Sequence, residues 1–263
     1  MPAVDDDEAD LALIVAAARE GGRIAKRYFG KNPEVWMKPG ASPVSEADYA
    51  VDTFLRETLL SARPDYGWLS EETVDGDARL SARRLFVVDP IDGTRGFLQG
   101  LDRWCVSIAI VEAGLPIAGV LDCPARQEIF SALPGQGAFK NGSRITVRPP
   151  GEHFDIAGPM TLINALPSAI RQTVRSTSHI TSLAYRMAMI ADGSLDATFV
   201  KPNAHDWDIA AADLILREAG GELLNEHGKR PGYGGTHIRH GLMVAGSGDL
   251  LAAISPVIAN GPA

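Results

Sequence analysis

Four short apolar runs, residues 85–89, 104–112, 116–121 and 128–133, follow one another in the first half of the chain and limit its fold more than any other feature. Gly114 and Pro124 separate the last three, which lie too close together for the helical crossover that a parallel pair requires. A hairpin-rich, largely antiparallel sheet is therefore expected. Gly135, Gly137 and the Asn141-Gly142 pair continue the turn chemistry and mark the end of a first half, residues 1–150. The second half, residues 151–263, reads as alternating strand and helix. A strand is expected near residues 161–165, a helix near 180–191, a strand near 195–200 and a helix over 208–219 that Gly220-Gly221 ends. Strands near 222–224 and 242–245 and a terminal helix from about Gly248 complete it.

Upstream of the sheet, Leu11, Ile14, Val15, Ala18, Ile24 and Tyr28 recur at helical spacing, so residues 10–29 predict one amphipathic helix, weakened by Gly21 and Gly22. Residues 31–43 hold three prolines and Gly40 and read as a loop. Ser45 then opens a helix to about residue 62, with Tyr49, Val51, Phe54, Leu55, Leu59 and Leu60 on its buried face and Pro64 ending it.

Charge and composition exclude several classes of function. The net charge is -8, whereas nucleic-acid affinity rests on lysines and arginines that neutralise phosphates, so no nucleic-acid partner is expected. Apolar runs such as residues 106–111 fall far short of the roughly 20 residues of a spanning helix, and no membrane partner is expected. The start carries Asp5, Asp6, Asp7, Glu8 and Asp10 and no basic residue, unlike a secretory signal. Cys105 and Cys123 sit in strand-like sequence and read as buried reduced thiols of a cytoplasmic protein.

The chemistry begins where the first apolar run ends, in Asp89-Pro90-Ile91-Asp92-Gly93-Thr94. Pro90 fixes φ and Gly93 frees it, so a buried strand delivers two carboxylates across a tight turn. Both acids can face one cation, and the Ile91 carbonyl offers a third oxygen, a donor set that suits a hard ion such as Mg²⁺. Thr94 fits a helix N-cap, and the amides behind it would then meet a phosphate. Plain turns are also built from Asp, Pro and Gly, and Asp92-Gly93 alone reads that way; the whole string behind a strand favours a site. The phosphotransferase pattern Asp-x-Asp-x-Thr is excluded because these acids stand three apart.

Three other segments carry acids. Ser70-Glu71-Glu72 follows the apolar pair Trp68-Leu69 and reads either as a solvated loop or as a strand-end ligand. Ser45-Glu46-Ala47-Asp48 is a capping box by spacing, and both a structural and a catalytic reading of Asp48 stand. In His205-Asp206-Trp207-Asp208 the acids open a helix, where they complement its dipole; a carboxylate beside Trp207 could also be buried against a cation.

Taken in order, these segments resemble the inositol monophosphatase superfamily of metal-dependent, lithium-sensitive phosphatases. The Asp89-to-Thr94 string and Trp207-Asp208 with Glu218-Ala219-Gly220-Gly221 carry most of the likeness, which runs along nearly the whole chain. The resemblance implies an α/β fold, a five-layered αβαβα sandwich with a site between the halves, and a homodimer. It implies two or three Mg²⁺: Glu71, Asp89 and the Ile91 carbonyl would hold one, Asp89, Asp92 and Asp208 a second, and Glu71 part of a third. The Gly93 and Thr94 amides beside Asp92 would take the substrate phosphate. Asp48, the Thr94 hydroxyl and Glu71 would serve the attacking water, which the metal activates, with no covalent intermediate. Glu72 would stand behind Glu71.

Inositol-selective members place an acid in the strand before the Trp-Asp pair. Here Phe199-Val200-Lys201-Pro202-Asn203-Ala204-His205-Asp206 is one residue longer and offers none there. The segment ending at Asp48 and Arg95-Gly96-Phe97 are closer to branches that act on 3'-phosphoadenosine 5'-phosphate or histidinol phosphate. The expected function is a Mg²⁺-dependent phosphomonoesterase for a small phosphorylated metabolite, inositol monophosphate or 3'-phosphoadenosine 5'-phosphate, with histidinol phosphate as the alternative. The competing class is a non-catalytic metal- or phosphometabolite-binding regulatory dimer, against which the presence of both Asp48 and Thr94 argues.

Overall fold

The computed structural model describes residues 3–38, 43–149, 151–177 and 179–259. Helix α1 (Ala3–Lys26) begins earlier than the apolar spacing predicts, because the acid-rich start adds turns whose charges suit a helix N-terminus. The expected loop over residues 31–43 contains the short strand β1 (Val35–Met37), which pairs antiparallel with β2 (Pro43–Ser45) at the loop's end; its residues 39–42 lie outside the described residues. Helix α2 (Glu46–Ala62) follows directly.

Next come β3 (Gly67–Ser70), β4 (Arg84–Asp92), the short α3 (Thr94–Leu98), β5 (Cys105–Glu112), β6 (Leu115–Cys123), β7 (Glu128–Leu133), β8 (Gly137–Lys140) and β9 (Ser143–Ile145). Among the described residues these strands form one seven-stranded sheet in sequential order. Every pairing from β4 to β9 is antiparallel, as the turn spacing requires, and only β3 runs parallel to β4. The sheet is covered on both faces. Leu85 and Val87 belong to the core shared with later helices, while Phe86 and Val88 belong to the core under α1 and α2. That is why β4 reads as a continuous apolar run rather than an alternating one.

The second half supplies β10 (Phe154–Ala157), α4 (Met160–Asn164), α5 (Ser168–Arg171), β11 (Val174–Ser176), α6 (Leu183–Ala191), β12 (Ala197–Val200), β13 (Ala204–His205) and α7 (Asp206–Glu218). It ends with β14 (Glu222–Asn225), β15 (Arg239–His240), β16 (Met243–Gly246), α8 (Gly248–Ile254) and α9 (Pro256–Ala259). The strand expected near residues 161–165 is a helix, α4: Pro159 stands at its N-cap, and Leu162 and Ile163 are its buried side. Neighbouring residues so placed suit one short helical turn as well as a strand, which makes brief apolar runs ambiguous. A five-stranded sheet runs β11-β10-β12-β16-β14, mixing parallel and antiparallel pairs.

Helices α6 and α7 fill the space between the two sheets, where Ile209, Leu214, Ile215 and Leu216 are fully buried. Each such side chain stabilises the packing by about 2 kcal/mol. The approach is close enough that a Cβ on Gly119 of β6 would lie 3.0 Å from the Ala211 carbonyl of α7. Leu162, Leu250 and Ile254 of α4 and α8 cover the far face of the second sheet. The order of layers is α1/α2, sheet, α6/α7, sheet, α4/α8, a five-layered sandwich. Among the described residues no helix is long and apolar enough to cross a membrane. Cys105 and Cys123 are free and buried.

Candidate metal centre

The ends of two neighbouring parallel strands place the first acids. Glu71 follows β3 immediately and its amide donates to the Val88 carbonyl of β4 at 3.2 Å, one residue before Asp89. Open sheets gather their functional groups at such carboxyl ends. Along β4, Asp89 pairs with Ser107 and Asp92 with Cys105, so three residues of β4 advance against two of β5. This bulge falls at Pro90, which has no amide to give to the ladder. In a regular strand residues three apart face opposite ways; the extra residue brings Asp89 and Asp92 to the same side, towards α6 and α7.

Asp208 arrives from the other half. It is the third residue of α7, and its Oδ2 accepts from the His205 amide at 2.7 Å, which satisfies an N-terminal donor of the helix. Oxygens of Glu71, Asp89 and Asp208 lie within 4.8 Å of one another. Asp48 is likewise the third residue of its helix. Its Oδ2 accepts from the Ser45 amide at 2.8 Å and the Ser45 hydroxyl at 2.6 Å, and its Oδ1 accepts from the Thr94 hydroxyl at 3.1 Å. The two readings of Asp48 are thus compatible: one oxygen caps α2 and the other reaches Thr94. The Ile91 carbonyl, 3.0 Å from the same hydroxyl, is the alternative acceptor for its single proton.

The N-cap of α3 is Gly93, not Thr94, which is already helical. Gly93 takes φ 96°, and a Cβ there would lie 2.9 Å from the Ser182 Cβ. Asp92 is held differently from the other acids. Its carboxylate accepts from the Ser182 hydroxyl, from the Leu183 amide at 3.3 Å and from the Ala184 amide at 2.6 Å, at the start of α6.

Crowding of carboxylates governs the electrostatics. Burial first, then the charges of Glu71, Asp92 and Asp208, pushes Asp89 well above the usual carboxylate range. Burial and Asp208 push Asp92 up to about 7 against its hydrogen bonds from α6. Burial raises Glu71, which Lys38 opposes, and burial also raises Asp48. A cluster of carboxylate oxygens that repel one another, with Asp89 buried and Glu71 and Asp208 half-buried, is the donor set a hard divalent cation satisfies.

Some participants carry no signal in the sequence. The Lys38 ammonium donates to Glu71 at 3.0 Å and to Glu72 at 2.7 Å, although the lysine lies in the stretch expected to be loop. Glu72 is turned inward behind Glu71, and its Oε2 has no hydrogen-bond partner among the described residues. The amides that hold Asp92 come from a helix expected to begin near residue 180; Ser182 ahead of an apolar helix was the available cue. Asp206, fully buried, accepts from the Gly234 amide at 2.7 Å and lies 2.7 Å from His240 Nε2, anchoring the start of α7. His205 stacks on Trp207 with 4.5 Å between ring centres, and its Nδ1 lies 3.8 Å from Asp208 Oδ2.

Fold and site together define a layered α/β protein with an acidic, cation-type centre where a sheet meets two helix starts. The sequence model of the inositol monophosphatase family matches residues 6–260, and the chain belongs to that family, whose members are phosphoric monoester hydrolases. Among curated relatives, a histidinol-phosphatase of Mycobacterium tuberculosis is 31% identical over 87% of this chain and 92% of its own length. An inositol-1-monophosphatase of Mesorhizobium japonicum is 32% identical over 90% and 91%. The crystal structure of the extragenic suppressor protein suhB from Bartonella henselae superimposes with a TM-score of 0.84 at 30% identity, covering 96% of this chain and 99% of that one.

Proposed function

We propose that the chain is a Mg²⁺-dependent phosphomonoesterase that transfers the phosphoryl group of a small phosphorylated metabolite directly to water. The observation that carries this reading is the convergence of Glu71, Asp89 and Asp208 within 4.8 Å, next to a Thr94 hydroxyl within hydrogen-bond distance of both Asp48 and the Ile91 carbonyl. In this proposal Glu71, Asp89 and the Ile91 carbonyl hold one ion, and Asp89, Asp92 and Asp208 a second. Bound Mg²⁺ would supply the positive charge that offsets the phosphate and lowers the pKa of water. Asp48 and Thr94 orient the nucleophile: the Asp48 Oδ1 accepts the Thr94 proton, which leaves the Thr94 oxygen free to accept from a water. Glu71 stands beside them as a further acceptor. The Gly93 and Thr94 amides position the phosphate, a role that needs the left-handed backbone at Gly93.

The candidate esters are inositol monophosphate and 3'-phosphoadenosine 5'-phosphate, with histidinol phosphate as the alternative. The test is phosphate release from inositol 1-phosphate, 3'-phosphoadenosine 5'-phosphate, histidinol phosphate and fructose 1,6-bisphosphate with Mg²⁺ and with chelator. Turnover that requires Mg²⁺ is expected. A folded sample that binds Mg²⁺ and releases phosphate from none of them would leave a binding protein instead.

A further inference from the structure

A cleft of about 740 Å³ opens beside the start of α6. Among the described residues, Arg171, Arg175, His179, Arg186 and Lys201 line it, and no carboxylate does. The chain as a whole carries a net charge of -8, so a concavity bearing only basic ionisable groups runs against the protein's own excess. The cleft borders the acidic centre. Thr181 and Leu183 are in its wall and flank Ser182, whose hydroxyl holds Asp92. Val200, Lys201 and Ala204 form the other side, just ahead of the helix that carries Asp208.

Arg186 is the most informative member. Its guanidinium is largely buried and its Nε has no hydrogen-bond partner among the described residues. An unpaired buried donor on a charged group is costly to keep, and a planar guanidinium is shaped for two oxygens of one anion. Among the described residues, Arg175 and Lys201 form no ion pair with a carboxylate, Arg186 feels the charge of Asp92 without a direct ion pair to it, and Arg171 donates only to the Asn164 carbonyl at 2.9 Å. A neutral polyol would need acceptors for its hydroxyl protons. At the place where an acidic acceptor would serve that purpose stand Val200, which is apolar, and Lys201, which can only donate. Ile163, Val174, Ile180 and Leu183 supply apolar wall for a carbon skeleton.

We propose that the substrate is a phosphomonoester bearing a second anionic group, held by Arg186 and Lys201 with Arg171 and Arg175 at the rim, while the ester phosphate lies at the acidic centre. This rests on the phosphatase reading above and narrows its substrate. Two matched pairs test it and separate the sources of the second charge: 3'-phosphoadenosine 5'-phosphate against adenosine 3'-phosphate, and 2-phosphoglycerate against glycerol 2-phosphate. The readout is the ratio of kcat/KM within each pair for wild type, Arg186→Gln and Lys201→Ala. Wild type should favour the doubly anionic member of at least one pair by about tenfold or more, and the variants should lower that ratio by about ten- to a hundredfold, mainly through KM.

Taking the ratio cancels any effect that the Arg186 charge has on Asp92, because both esters share it. Lys201 is exposed, so its truncation repeats the test without disturbing the core. Ratios near one in wild type, or ratios the variants leave unchanged, overturn the proposal while leaving the phosphatase reading intact. Calorimetry in chelator, with adenosine 5'-phosphate against adenosine, probes the cleft without catalysis. Binding of the nucleotide alone, lost in Lys201→Ala, upholds the cleft even if no ester is hydrolysed, in which case only the phosphatase reading falls. Equal binding or none overturns the cleft.

Discussion

Replacing Asp89 by Asn removes one charge from the middle of the acidic cluster and should stabilise the metal-free protein while abolishing turnover. At 4.8 Å, the outer limit of the cluster, two unit charges repel by about 3.5 kcal/mol at an effective dielectric of about 20. Asp89 faces Glu71, Asp92 and Asp208, so it feels more than one such repulsion, part of which the metal-free protein sheds by taking up protons. A net relief of about 2 kcal/mol is a conservative figure. The substitution is nearly isosteric, and the Asn carbonyl can still accept from the Ile91 amide, as Asp89 Oδ1 does at 3.0 Å. For a chain of this length 1 kcal/mol moves Tm by about 2 °C, so Tm in chelator should rise by about 4 °C. Saturating Mg²⁺ reverses the order: wild type gains about 2.7 kcal/mol at a hundred times Kd, and the variant gains little. Scanning calorimetry in chelator and in Mg²⁺, with phosphate release measured in parallel, is the assay. A variant that melts lower than wild type in chelator yet keeps the wild-type Mg²⁺ shift would refute the placement of Asp89 among mutually repelling ligands.

Three further substitutions probe other parts of the argument. Thr94→Val removes the hydroxyl that lies between Asp48 and the Ile91 carbonyl, and kcat should fall by roughly a hundredfold or more with KM little changed; steady-state kinetics that show full kcat remove Thr94 from the mechanism. Gly93→Ala places a Cβ 2.9 Å from the Ser182 Cβ at φ 96°, and the denaturant midpoint should drop by the equivalent of about 2–4 kcal/mol; an unchanged midpoint contradicts the tight contact of α3 with α6. Asp213, buried in α7, is pushed by burial from 3.8 up to about 6. The folded chain therefore holds that proton more tightly than the unfolded chain, so its contribution is full below about pH 4 and is lost as pH rises through about 6, a difference of about 3 kcal/mol. Asp213→Asn should remove that pH-dependent loss and leave the variant more stable than wild type at pH 8; parallel stability curves for the two proteins from pH 4 to 8 would contradict it.

Local strings made much of the site legible. A strand followed by Asp89-Pro90-Ile91-Asp92-Gly93 announces a cation-type turn because Pro and Gly restrict the backbone within a few residues of the acids. The hairpins from β5 to β9 follow from turn residues at short intervals. Short apolar segments were less readable: residues 161–164 are helical, and β1 lies within the stretch expected to be loop, pairing with β2 at its end. Segments of that length bury a few side chains equally well in either state, and their neighbours decide.

What the sequence determined by itself was therefore the inventory and its local geometry: which acids close a buried strand, which open a helix, and where the chain must turn. Tertiary structure alone decided that Asp208, which opens a helix, comes within 4.8 Å of Glu71 and Asp89, and that Asp48, a capping acid by spacing, also accepts from Thr94, because a capping carboxylate has a second oxygen and only packing sets what it meets. It also decided that a bulge turns Asp89 and Asp92 to the same side, that α6 amides hold Asp92, and that Arg186 and Lys201 share a basic cleft beside them. These groups are separated by up to 160 residues, from Asp48 to Asp208. No local periodicity spans that distance; burial of α6 and α7 between two sheets brings them together.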